Sequence, residues 1–278
     1  MFLSKEDYEE PRCLLCKPTE VAPIPVGRVL GKLDEYLGKN DYPAAERHLK
    51  YWLMEAETGN DKRGMLTVSN EMIGLYRKAG REQECMEAAE SVRNLLSDPD
   101  LDEEVTRGTS LINIATGYKA FGKTAEALPL YEEAMELYEK NLKERDSRLG
   151  GLYNNMAITL TALGEYDRAE ELYGKALHVM SLNENGETDM AITYCNMADL
   201  TAARCDTGTE GITLDAEAER KIGEYLETAR RLLDTETLPR DGYHAFVCEK
   251  CAPTFGYYGF FADEKELSER SEQIRRKL

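Results

Sequence analysis

Bulky and small apolar residues recur along the middle of the chain at fixed intervals. One run reads Leu111, Ile114, Ala115, Tyr118, Gly122, Ala127, Tyr131 and Ala134. The next reads Tyr153, Met156, Ala157, Leu160, Gly164, Ala169, Tyr173 and Ala176, with the same steps of 3, 1, 3, 4, 5, 4 and 3. Bulky residues at i, i+3 and i+7 with a small one at i+4 give the period of a helix buried along one face. The glycine ends that helix in a backbone conformation that side chains resist. The second helix offers small, bulky, small at i, i+4 and i+7. Small residues on both helices let an antiparallel pair approach closely.

Looser copies flank these two runs. Upstream are Met72, Ile73, Tyr76, Gly80, Cys85, Ala89 and Val92, and before them Val29, Leu33, Tyr36, Tyr42, Ala45, Leu49 and Trp52. Downstream are Tyr194, Met197, Ala198 and Thr201, continued by Ile222, Leu226 and Ala229 after an insertion. A degenerate last unit, with Ala252, Phe255 and Gly259, runs from Tyr243 to Leu278. The pattern predicts twelve helices, at about 26–38, 42–58, 62–79, 82–97, 101–121, 124–143, 147–163, 166–183, 187–204, 215–234, 240–257 and 263–277. Pro43 suits a first turn, where its missing N–H costs little. Pro129 and Pro253 fall inside predicted helices and call for a bend or a later start.

These repeated positions resemble the tetratricopeptide repeat family over roughly residues 26 to 278. The closing positions Asn40, Gly80, Gly122 and Gly164 lie 40, 42 and 42 residues apart. That period exceeds the usual ~34 and is similar to the subfamily that includes kinesin light chains and bacterial Rap-type regulators. The resemblance implies an all-α, right-handed superhelical solenoid of about six helix-turn-helix units, first helices lining a concave groove. Weak terminal units fit such an array, because end repeats cap the core.

Two segments escape the pattern. Residues 1–25, with four prolines and two cysteines, read as an extended arm ahead of a repeat domain at 26–278. Residues 205–214 read as a loop insertion, rich in glycine and threonine, a tolerated surface excursion first and a partner-contacting loop as the alternative.

Charge narrows the choice of partner. Thirty-five basic against 53 acidic residues leave a net charge of -18, which disfavours nucleic acid and anionic membrane. A protein or peptide partner that is basic or neutral suits it better. No run of 18 apolar residues suggests a membrane span. The N-terminal stretch turns acidic at once, without an apolar signal core, so a cytoplasmic location is expected. Seven cysteines, irregularly spaced, make no disulfide framework.

Catalytic motifs are missing: no phosphate-binding glycine loop, no His-Glu-x-x-His. His48, His178 and His244 sit in different units. Acidic pairs such as Glu132-Glu133, Glu170-Glu171 and Glu217/Glu219 fall on charged second helices and read as solvated faces. The chain is therefore expected not to be an enzyme and to need no cofactor. Cys13-x-x-Cys16 and Cys248-x-x-Cys251 each have the spacing of half a zinc site. They stand far apart, and Cys248 and Cys251 also fit adjacent core positions of a helix. Cys13 and Cys16 remain the metal candidates, and a zinc-linked assembly the reading they would support.

One polar feature lacks a packing role. Asn113, Asn155 and Asn196 each precede the bulky residue before the small one, the same slot in three first helices. Asparagine is a poor interior helix residue. The resemblance implies that an amide at this slot bonds the main chain of a bound peptide; the alternative is that the amides tie neighbouring repeats. Asn70 and Asn154 lie one position earlier, and Thr116, Lys119, Ile158, Thr161, Asp199 and Arg204 are further groove candidates. The functional expectation is a non-catalytic protein- or peptide-binding scaffold or adaptor. A peptide-sensing regulator is the alternative, although the Rap type carries an effector bundle where this sequence shows a short arm.

Overall fold

A computed structural model describes residues 21–205 and 214–277. The first twenty residues, with Cys13 and Cys16, and most of the 205–214 loop lie outside the described residues. The helices fall into two compact units, one ending at Gly122 and one beginning at Lys123.

The first unit holds α1 (Val26–Gly38), α2 (Tyr42–Thr58), α3 (Lys62–Lys78), α4 (Glu82–Leu95) and α5 (Glu104–Ala120). Each helix packs on the next, and α3 also packs directly on α5. Gly117 explains how closely they pack: a Cβ there would stand 3.1 Å from both Cys85 Sγ and Ile73 Cγ2. The second unit holds α6 (Thr124–Asn141), α7 (Ser147–Ala162), α8 (Tyr166–Ser181), α9 (Glu187–Arg204), α10 (Ala216–Leu233), α11 (Gly242–Tyr257) and α12 (Phe261–Arg275). There α7 meets α9 and α9 meets α11, the same first-helix-to-first-helix contact. No strand occurs among the described residues.

The core is built from the repeated positions. Ala45, Ala89, Ala115, Ala127, Ala134, Ala157, Ala169, Ala176 and Ala198 are wholly buried, and Tyr131 and Tyr173 fill the bulky slot between them. The four closing positions Asn40, Gly80, Gly122 and Gly164 all take positive φ, from 55° to 80°. The next N–H reaches back to the carbonyl five residues before it, Asp41 to Tyr36, Arg81 to Tyr76 and Glu165 to Leu160, each at 2.9 Å. This is the Schellman ending that satisfies the last carbonyls of a helix. Starts are marked by aspartate: Asp41, Asp61, Asp146, Asp215 and Asp241 each accept a first-turn backbone N–H at 2.8–3.1 Å.

Three details differ from the sequence reading. Pro99 opens a short 3₁₀ turn, Pro99–Leu101, that buries Leu101, so α5 begins only at Glu104. Helices α6 and α11 run through Pro129 and Pro253 without a later start, each giving up one backbone bond. Residues 21–25 are non-helical, as expected of an arm, but they are docked. Ala22 N–H donates to the Gly59 carbonyl at 2.8 Å, and Ile24 N–H donates to Asp61 Oδ2 at 2.9 Å, burying Ile24.

Candidate functional site

The residues that the sequence offers as groove candidates occupy first helices, and their local chemistry is plain in each unit taken separately. In the first unit, Asn70 on α3 and Asn113 on α5 stand side by side. Asn113 Nδ2 donates to Asn70 Oδ1 at 3.0 Å. Asn70 Nδ2 in turn donates to the Leu66 carbonyl and to Ser110 Oγ, both at 3.0 Å. In the second unit Asn154 on α7 and Asn196 on α9 repeat the arrangement. Asn196 Nδ2 donates to Asn154 Oδ1 at 3.1 Å, and Thr193 Oγ1 donates to the same oxygen at 3.2 Å. Both constellations are an asparagine facing a hydroxyl-x-x-Asn on the next first helix: Ser110-x-x-Asn113 and Thr193-x-x-Asn196.

The amides therefore do tie neighbouring repeats, and the offset residues Asn70 and Asn154 are the other halves of the ties. The ties leave capacity unused. A primary amide has two N–H donors and a carbonyl acceptor. Asn113 and Asn196 each commit one N–H and keep the other N–H and the oxygen uncommitted. Asn155 behaves differently: its Nδ2 donates to the Gly151 carbonyl of its own helix at 3.0 Å.

The tie in the first unit borders a pocket of about 330 Å³ between α3 and α5, walled by Leu66, Asn70, Glu71, Leu101, Ser110 and Asn113 among others. Burial raises the Glu71 carboxyl above its ordinary 4.5, and the Asp34 charge adds to the rise. Lys119, on α5, is pushed down to about 8 by burial and by the neighbouring Arg77.

In the second unit Asp199 receives the Tyr258 hydroxyl at 3.0 Å, and Tyr243 donates to Asp189. These two tyrosine–aspartate links join α11 to α9. Lost water raises the Asp199 carboxyl, and the Tyr258 bond opposes the rise. Thr161 on α7 donates to its own Ala157 carbonyl at 2.9 Å.

Arg204 is engaged within the repeat. Its guanidinium lies against the second helix α8, bonded to Asp167 and Glu170 at 2.9 and 2.8 Å. It ties the end of α9 to the acidic residues of α8. Glu132 and Glu170, read from sequence as merely solvated, also carry cross-helix ion pairs, to Arg168 at 2.9 Å and to Arg204. Arg81 to Glu46, at 2.6 Å, is the counterpart in the first unit.

The described residues contain no group of three or more His, Cys, Asp or Glu that could hold a metal. Cys248 and Cys251 are core residues, 0% and 1% exposed, packed with Cys195, Leu226 and Phe255. Whether Cys13 and Cys16 approach them lies outside the described residues. None of the described helices is long and apolar enough to cross a membrane.

Comparison with known proteins agrees with this architecture. Residues 107–147 and 150–180 match the tetratricopeptide repeat family model. No curated protein sequence matches the chain. Among solved structures, the nearly identical TPR-like repeats of a Podosopora anserina protein described as a kinesin light chain share 20% identity, with a TM-score of 0.52 over 76% of this chain and 95% of that one. BtubC (BKLC) from P. vanneervenii shares 14% identity, with a TM-score of 0.52 over 92% of each chain. NprR, in complex with its cognate peptide NprX, shares 16% identity, with a TM-score of 0.58 over 92% of this chain and 71% of that one. The chain has the tetratricopeptide-repeat fold, similar to the repeats of kinesin light chain and NprR, and residues 107–147 and 150–180 match the model of that repeat.

Proposed function

We propose that this chain is a non-catalytic scaffold or adaptor that binds extended peptide segments of a partner protein on the first helices of each unit. The observation that carries the reading is the half-used state of Asn113 and Asn196. Each is oriented by its tie to Asn70 or Asn154 and keeps one donor and one acceptor. That pair matches the C=O and N–H of one peptide unit, whatever the peptide's side chains. Orientation by the tie is preorganisation, which reduces the entropy lost on binding. The fold neighbour NprR, a complex with a peptide, supports the reading at the level of architecture. The charge of -18 favours a basic or neutral segment. On this reading Lys119 is a further contact in the first unit and Asp199 one in the second, and Asn155 takes a lesser part.

The test is a selection of binders from a random peptide display library against the full chain. Selected peptides should lose at least about tenfold in affinity for Asn113→Ala/Asn196→Ala, about the value of one or two hydrogen bonds. Ser110→Ala/Thr193→Val, which touches the ties from behind, should retain most of the affinity. Unchanged affinity of a folded double-alanine variant would overturn the assignment.

A further inference from the structure

The pocket between α3 and α5 has a chemistry of its own, distinct from reading a peptide main chain. We propose that it receives a lysine or arginine side chain of the bound segment, with the charged head at Glu71 and the methylene stem between Leu66 and Leu101. The inference rests on the peptide-binding reading above and adds a specificity to it.

Size is the first argument. At about 330 Å³ the pocket lies at the small end of ligand sites and suits one long side chain. Polarity is the second. Thr67 donates its hydroxyl proton to the Arg63 carbonyl at 2.9 Å, and Thr106 donates to Glu103 Oε2 at 2.8 Å. With those protons committed, both hydroxyls offer lone pairs. The Asn113 oxygen is uncommitted too, and Glu71 and Glu103 supply carboxyls. The wall is therefore rich in acceptors, which is what an ammonium or guanidinium seeks. Its one cation, Arg63, lies eight residues before Glu71 on α3, about 12 Å along the axis.

Glu71 is the third argument. It makes no hydrogen bond or ion pair with another described residue, although half-buried. Its carboxyl is raised by burial and by Asp34, with only Lys78 acting against that. An unpaired carboxylate in a recess is costly, and a cation entering beside it relieves the cost. Leu66 and Leu101 give the apolar flanks along which a long cationic side chain lays its stem. A divalent ion is a poorer occupant, since it needs a fuller cage of oxygens than this wall provides.

The experiment titrates three blocked tripeptides into the isotope-labelled full chain by NMR: N-acetyl-Ala-Lys-Ala amide, its Arg counterpart and its norleucine counterpart. The Lys and Arg peptides should shift amides of residues 66–71 and 106–113. They should bind at least about tenfold more tightly than the norleucine peptide, and lower the Glu71 carboxyl pKa towards the ordinary value. Glu71→Gln should abolish that preference and leave the norleucine peptide unaffected. Equal binding of all three would overturn the cation reading while the peptide reading stands. A preference that survives Glu71→Gln, or no response at these amides, would overturn it as well; the display selection decides the peptide reading independently.

Discussion

Asn113 donates to Asn70 at 3.0 Å, and 83 residues further on Asn196 donates to Asn154 at 3.1 Å. A side-chain tie between first helices thus recurs two repeats apart. Its members are unequal. Asn70 makes three bonds, to Leu66, Ser110 and Asn113, whereas Asn113 makes one. At about 0.5–1.5 kcal/mol net per bond, Asn70→Ala should cost about 2–3 kcal/mol of stability and Asn113→Ala about 1 kcal/mol. Urea unfolding of the two variants checks the order. Equal losses would mean that the Leu66 and Ser110 bonds contribute nothing.

The closing turns give a sharper backbone test. Gly164 holds φ +80°, and a Cβ added there would meet no neighbour within 4 Å. Any penalty of Gly164→Ala is therefore conformational, about 1 kcal/mol. Asn40 occupies the same place in the first unit at φ 55°, so Asn40→Gly should leave stability unchanged or raise it by a few tenths of a kcal/mol. Thermal unfolding of both variants measures the asymmetry.

The fold was legible because its signal is local and repeated. The Leu111 and Tyr153 runs share every step, and the closing residues announce themselves as Gly or Asn. The first residue of α5 was not, because Asp102 and Glu103 look helical in composition while Pro99 commits the chain to a short turn first. The asparagine slot was visible, but its use was not. Whether Asn113 faces a ligand or Asn70 depends on the lateral register of two helices 43 residues apart. The hydroxyls at i−3, Ser110 and Thr193, were a readable clue that the register-blind pattern passed over. The acidic partners of Arg204 were hidden for a related reason: at the last turn of α9 a long side chain reaches over the edge to α8.

Cysteine reactivity should separate core thiols from accessible ones. Burial pushes Cys85 and Cys248 up to about 11. The hydrogen bond with Cys251, and then burial, raise Cys195. Cys205 is only half-buried. Thiolates are the reactive form, so Cys85, Cys195, Cys248 and Cys251 should label in the native chain at least about 1,000-fold more slowly than Cys205, the factor for access through an opening of about 4 kcal/mol. Pulsed alkylation followed by peptide mass spectrometry reads each site. Fast labelling of Cys248 would show that its end of the core opens readily and would restore it as a candidate metal ligand.

His244 sets the acid side of the stability profile. It is 1% exposed, on α11, with Arg240 and Arg270 close by. Burial, and then the two guanidinium charges, hold its imidazole down to about 4, against an ordinary 6.5. Above about pH 6.5 the ring is neutral in folded and unfolded chains alike, and its contribution is complete. Between 6.5 and 4 the unfolded chain takes up a proton that the folded chain refuses, so stability falls by up to about 1.4 kcal/mol per pH unit. Below about 4 both states are protonated and this loss stops. Glu46 acts lower down: held near 2 by Arg81 and then Lys50, it loses its contribution as pH falls from 4.5 towards 2. Glu71, raised by burial, pulls the opposite way because its folded state binds the proton first. Urea midpoints at pH 7.0, 6.0 and 5.0 should therefore fall steadily for the native sequence and fall less for His244→Gln, whose amide cannot titrate. Parallel profiles for the two chains would show that the fold leaves the His244 pKa at its unfolded value; a native profile that fell less than that of His244→Gln would show that a partner acid, Asp241 or Asp234, holds it charged.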